Sequence, residues 1–137
     1  MMAGWLCDCY TWKLCFDCCR YLDFSGCEKV TNTGVQALAV RCHKLSYLDL
    51  SSTSTTKKGV CLLASFCFRT LKCVKLSFCK DLSLGAVGRL CRSCKKLKIL
   101  HLYGCRFLPD LESIKNINKN VEVFYDLEVP AAKLSSK

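Results

Sequence analysis

Proline and glycine are scarce in this chain of 137 residues, which has two and seven of them. That scarcity excludes a collagen-like polymer and a Pro/Gly-rich disordered linker. Long apolar runs are missing as well; none approaches the ~20 residues that a helix needs to cross a bilayer. Acid is in short supply, with 11 Asp and Glu against 21 Lys and Arg and a net charge of +10. The first residues, Met1 to Asp8, carry no basic segment ahead of their apolar stretch, so they do not read as a secretory signal. Their wealth of Trp and Cys reads as the edge of something longer. With 51% hydrophobic and 23% charged residues, the remainder is ordinary globular material for one domain with a modest core.

Cysteine and base are abundant. Fourteen cysteines would suggest a disulfide scaffold in a short secreted chain. The positive charge raises the prior for an acidic partner without choosing its kind. It is uneven: between Arg69 and Lys98 the only acid is Asp81, against nine bases.

Internal periodicity organises the rest. Cys19-Arg20-Tyr21-Leu22-Asp23-Phe24, Leu45-Ser46-Tyr47-Leu48-Asp49-Leu50, Leu71-Lys72-Cys73-Val74-Lys75-Leu76 and Leu97-Lys98-Ile99-Leu100-His101-Leu102 follow one pattern. They begin at Cys19, Leu45, Leu71 and Leu97, in equal steps. A fifth, Val121-Glu122-Val123-Phe124-Tyr125, comes slightly early and closes the array. Each is a short strand with alternate residues on opposite faces. After each strand, apolar residues recur at helical spacing. The sets are Val35, Leu38, Ala39 and Cys42; then Val60, Leu63, Ala64 and Cys67; then Val87, Leu90, Cys91 and Cys94. Strand, turn, helix, turn at this period predicts an α/β leucine-rich-repeat solenoid, with a curved parallel sheet on the concave face and helices on the convex face. Residues 1–18 are expected to hold the helix of a partial repeat, because Cys9, Trp12, Phe16 and Cys19 keep the spacing. The array is expected over 19–127, with Leu111, Ile114 and Ile117 in a last short helix, and a polar tail over 128–137.

Most cysteines fall on repeat positions. Cys27, Cys79 and Cys105 share a site just after the strand, where the second repeat has Thr53. Cys42 and Cys94 share the late-helix site, with Cys67 there or one turn-step away, and Cys91 stands where Ala39 and Ala64 stand. Small, slightly polar side chains in a stacked core explain these seven as structural, reduced thiols. Reduced thiols imply a cytoplasmic home, or a nuclear one. The pair Cys91 and Cys94 is therefore not read as a metal motif. Cys7, Cys9, Cys15, Cys18 and Cys19 offer enough sulfur for zinc, but their spacing matches no common zinc pattern. No metal or other cofactor is expected.

With Leu48 and Leu50 inward, the outward strand residues form columns across the repeats. One column runs Asp23, Asp49, Lys75, His101, Tyr125; beside it stand Tyr21, Tyr47 and Tyr103, with Phe78 nearby. Cys73, Ile99 and Val123, and Ser25, Ser51 and Ser77 after the strands, are expected to point outward too. The nine named residues of the columns and their border are the candidate partner-binding set. The strongest hot spot is the cluster of His101, Tyr103, Tyr125 and Phe78, because aromatics carry disproportionate interface energy. No Ser or Cys nucleophile with an orienting acid can be matched to His101, so binding is expected and catalysis is not. The expected partner is a protein. Neither a small-molecule substrate nor a membrane is expected, and the sparse aromatics among the bases argue against nucleic acid.

Several strings resemble the cysteine-containing leucine-rich repeats of F-box/LRR proteins. They are Leu45 to Ser51, Gly26-Cys27, the run from Val30 to Leu45 with Gly34, Leu38 and Cys42, and Leu102-Tyr103-Gly104-Cys105. The resemblance covers roughly residues 9–127. It implies a repeat array that captures the substrate of a cullin (SCF) ubiquitin ligase, with an F-box elsewhere in a longer form recruiting the ligase components. The stretch ahead of the repeats, 1–18, is too short for an F-box. The same repeats occur in scaffold subunits such as axonemal regulatory proteins, so a non-catalytic structural role is the alternative.

Overall fold

The computed structural model describes residues 19–105 and 111–126. Strand and helix alternate as β1 (Tyr21–Asp23), α1 (Asn32–Arg41), β2 (Tyr47–Asp49), α2 (Lys57–Phe66), β3 (Cys73–Lys75), α3 (Leu84–Ser93), β4 (Ile99–His101), α4 (Leu111–Ile117) and β5 (Glu122–Phe124). The strands make one parallel sheet in chain order. Parallel neighbours require a crossover, and each helix supplies one. This is the alternation expected of a leucine-rich-repeat fold. The partial repeat expected over 1–18 and the tail over 128–137 lie outside the described residues.

The period becomes register. Leu22, Leu48, Val74 and Leu100 stand opposite one another across the strands. All four are fully buried, as are Leu45, Leu71 and Leu97 at the strand entrances. Each helix lays its apolar stripe on that layer: Val35, Leu38 and Ala39 from α1, Val60, Leu63 and Ala64 from α2, and Val87, Leu90 and Cys91 from α3. Thr56 and Ser83 start their helices by accepting hydrogen bonds from the amides of Lys58 and Ala86, which would otherwise be orphaned.

Cysteine and its substitutes join one repeat to the one before. The Cys79 thiol donates to the Leu50 carbonyl at 3.2 Å, and the Cys105 thiol to the Leu76 carbonyl at 3.5 Å. At the late-helix site the Cys67 thiol donates to the Ala39 carbonyl at 3.8 Å. In the last repeat Asn118 takes over, its amide reaching the Cys91 and Cys94 carbonyls at 3.2 Å each. These carbonyls belong to buried residues, so even a weak thiol donor is useful there. Thr53 serves its own repeat, donating to Leu50 at 2.7 Å. Burial pushes the thiol pKa to about 11 in Cys67 and Cys91, and to about 12 in Cys94. The thiolate is the form that binds metal or attacks a disulfide, so these side chains are held in their unreactive state.

Two expectations need correction. Cys27 is half-buried and disulfide-bonded, whereas Cys79 and Cys105 at the equivalent positions are fully buried. The closing strand is also out of phase. Ile99 pairs with Glu122 and His101 with Phe124, a shorter step along the chain than the constant one from Tyr21 to Tyr47, Cys73 and Ile99. Val123 and Tyr125 therefore turn toward the core and pack against it, while Phe124 takes the place expected for Tyr125.

Every repeat leaves its strand through one left-handed residue: Gly26 (φ 80°), Ser52 (57°), Phe78 (62°) and Gly104 (69°). Glycine suits that conformation, and a bulky aromatic there is strained.

Candidate functional site on the open sheet face

The sheet face turned away from the helices carries two columns of side chains. One holds Tyr21, Tyr47, Cys73, Ile99 and Glu122; the other holds Asp23, Asp49, Lys75, His101 and Phe124. Parallel strands stand roughly 4.8 Å apart, close enough for aligned rings to stack. Tyr21 and Tyr47 do so, with centroids 4.1 Å apart and planes within 5°. The Lys75 ammonium sits 5.1 Å from the Tyr47 ring centre. A hydrogen bond to Tyr47 raises the Lys75 pKa above its ordinary value, and the same partner raises that of Tyr21.

At the other end, His101 is the hub. Its ring lies 4.8 Å from Phe124 and 5.7 Å, edge-on, from Tyr103. Partial burial lowers the His101 pKa, with further lowering by Lys75. The imidazole is consequently neutral at pH 7, able to donate one hydrogen bond and accept another.

A polar ladder fixes the loops that follow the strands. Asp23 accepts from the Ser25 amide, and Asp49 from the Ser51 amide, both at 2.9 Å. The Ser51 hydroxyl accepts from the Ser77 amide at 3.2 Å, and the Ser77 hydroxyl from the Tyr103 amide at 3.0 Å. Asp126 closes the ladder on the Gly104 amide at 2.8 Å. Ser77, expected to point outward, is thus buried under the loops. Each of the two strand aspartates has one oxygen committed to the backbone, leaving the other to face solvent or a partner.

Phe78 stands at the rim of this face, 58% exposed in its left-handed turn. Its ring lies against Gly104, where any Cβ would collide with it. Of the nine residues singled out from sequence, seven (Tyr21, Asp23, Tyr47, Asp49, Lys75, His101 and Tyr103) lie on the sheet face or at its loop edge. Phe78 borders it, and Tyr125 lies beneath it. Phe124 was missed. The signal was present: Val123 and Tyr125 fill the two apolar slots of the strand pattern and leave Phe124 between them, facing out. Cys73, half-buried in the middle of the first column, is a free thiol whose pKa burial raises. Cys19 is half-buried against the core, and the other N-terminal cysteines lie outside the described residues. Among the described residues no three His, Cys, Asp or Glu side chains gather to hold a metal ion. Chemically, the face offers stacked rings, one ammonium, one neutral imidazole and two half-committed carboxylates, which is the equipment of recognition.

The sequence pattern of the leucine-rich-repeat family matches residues 20–39, the span from the start of β1 into α1. The chain is similar to that family over one repeat unit, and repeats of this kind indicate a protein–protein interaction module. No helix among the described residues is long and apolar enough to cross a membrane.

Proposed function

We propose that this chain is a non-catalytic, solenoid-type interaction module, working in the cytoplasm or nucleus as the substrate-recognition part of an F-box/LRR-type ubiquitin-ligase receptor. The observation that carries the binding role is the continuous row of rings and charge across the sheet face, from Tyr21, Tyr47 and Lys75 to His101, Tyr103 and Phe124. Aromatic side chains preset on a rigid sheet lose little freedom on binding, so their buried area converts efficiently into affinity. Support for the receptor role comes from the cysteine-containing repeat strings, and the buried thiols of Cys67, Cys79, Cys91 and Cys94 suit a reducing compartment, to which the Cys27 disulfide is an exception.

The test is affinity purification of the tagged chain from cells, with mass spectrometry of its companions. A cullin and its adaptor beside one dominant protein support the receptor role. A fixed set of structural subunits without ligase components replaces it with the scaffold role. Tyr103→Ala combined with Phe124→Ala is expected to weaken capture of the dominant protein at least about tenfold, the loss of one or two hot-spot side chains. Circular dichroism should be unchanged, and capture at full strength would remove the sheet face as the binding surface.

A further inference from the structure

The two edges of the repeat stack differ in charge. On one edge the turns run from strand to helix and their charges nearly balance: Glu28 beside Lys29, Lys80 beside Asp81. On the other edge the turns run from helix to strand, across 41–46, 67–72, 94–98 and 118–121, and none contains a carboxylate. Lys44, Arg69, Lys72, Lys95, Lys96 and Lys119 are all exposed there. Helix dipoles explain cations in a last helical turn, such as Arg41 and Arg92. They do not explain bases in the turns beyond, which repel one another and cost stability.

The basic edge has an apolar centre. Helix α2 has no base in its last turn. It ends instead on Phe66, 50% exposed, and Phe68 follows at 39%. The Arg69 guanidinium lies 5.3 Å from the Phe68 ring centre. Bases of the neighbouring repeats, Lys44 before and Lys95 after, flank this pair along the edge.

We infer that this edge is a second docking surface, built for an acidic segment of a protein partner with an apolar residue among its carboxylates. Charge complementarity selects the acid, and the paired phenylalanines select the apolar residue. Nucleic acid fits less well, because Arg69 already occupies a face of Phe68 on which a base would stack. The surface is separate from the sheet face, so variants of one leave binding at the other intact.

The test uses two fluorescent peptides, one all glutamate and one with a Leu-Leu pair at its centre, at about 0.15 M salt where the Debye length is near 8 Å. The Leu-containing peptide should bind more tightly. Lys95→Glu with Lys96→Glu should weaken both peptides about tenfold, the equivalent of about 1.4 kcal/mol. Phe66→Ser with Phe68→Ser should abolish only the advantage of the Leu-Leu pair. Lys57→Glu with Lys58→Glu, the same charge change at the start of α2, should alter binding less than twofold. Equal loss from both charge reversals would overturn the inference, since net charge alone would then be at work. So would an unchanged Leu-Leu advantage in the serine variant. Tighter binding of duplex DNA or phosphatidylserine vesicles through the same side chains would assign the edge to another polyanion and overturn it too. Circular dichroism of each variant verifies that it is folded.

Discussion

The two faces of each strand follow opposite rules. Toward the helices, the central position reads Leu22, Leu48, Val74, Leu100 and Val123, nearly one residue type from end to end. One residue further on, facing away, it reads Asp23, Asp49, Lys75, His101 and Phe124: acid, acid, base, neutral ring, apolar ring. The inner column is constrained because every repeat must fill the same space between sheet and helix. The outer column has no packing partner that repeats, so each residue is free to differ. Uniformity marks what the fold requires, and the change along the outer column marks where recognition can be written.

Substitutions should separate the two rules. Cys94→Asp is expected to have the largest effect. It buries a carboxylate at a fully enclosed position, and the array should fail to fold cooperatively; a normal urea transition would show that the late-helix site tolerates charge. Leu48→Ala should lower unfolding free energy by about 2–5 kcal/mol, while its outward neighbour Asp49→Ala should cost far less. Equal effects in denaturant titration would erase the distinction between the faces. Phe78→Gly should change stability in the opposite sense, raising it by about 1 kcal/mol through release of the left-handed strain. A fall in Tm would mean that the contact with Gly104 outweighs the strain. The smallest effect belongs to His101. Its pKa is lowered in the folded state, so the unfolded chain binds the proton first. Stability is therefore full above the ordinary value of 6.5 and declines as pH falls below it. Lys75→Ala should move the His101 titration upward in an NMR experiment, and an unmoved titration would leave burial as the sole cause.

The fold was legible in the sequence to the extent that it is periodic. Equal steps from Cys19 to Leu45, Leu71 and Leu97 located β1 to β4, and spacings of three and four located the buried stripes of α1 to α3. Legibility failed where the period does. The shortened last step shifts Val123 and Tyr125 inward, and reading it by its first apolar residue, Val121, exchanged the roles of Phe124 and Tyr125. The strain at Phe78 is invisible to periodicity, although Gly26 and Gly104 at the equivalent sites mark a turn that needs positive φ. Asn118 was hidden because an asparagine and a cysteine look unlike, yet both donate to a carbonyl of the preceding repeat. The disulfide at Cys27 breaks a rule that Cys79 and Cys105 obey, and its repeat position gave no warning. Phe66 and Phe68 drew no notice within an apolar segment, since only the turn of the chain after α2 exposes them.

The placement of the thiols gives the protein an internal recorder of its own openings. Buried cysteines mark successive repeats: Cys42 in the first, Cys67 in the second, Cys91 and Cys94 in the third, Cys105 in the fourth. A protonated, enclosed thiol is inert to alkylation until its surroundings part, and partial unfolding exposes a structure region by region. A brief pulse of alkylating reagent followed by peptide mass mapping would therefore time-stamp each repeat separately, without any introduced label. The half-buried Cys61 and Cys73 would mark the start of the clock, and the order in which the others react would trace the direction in which the stack comes apart.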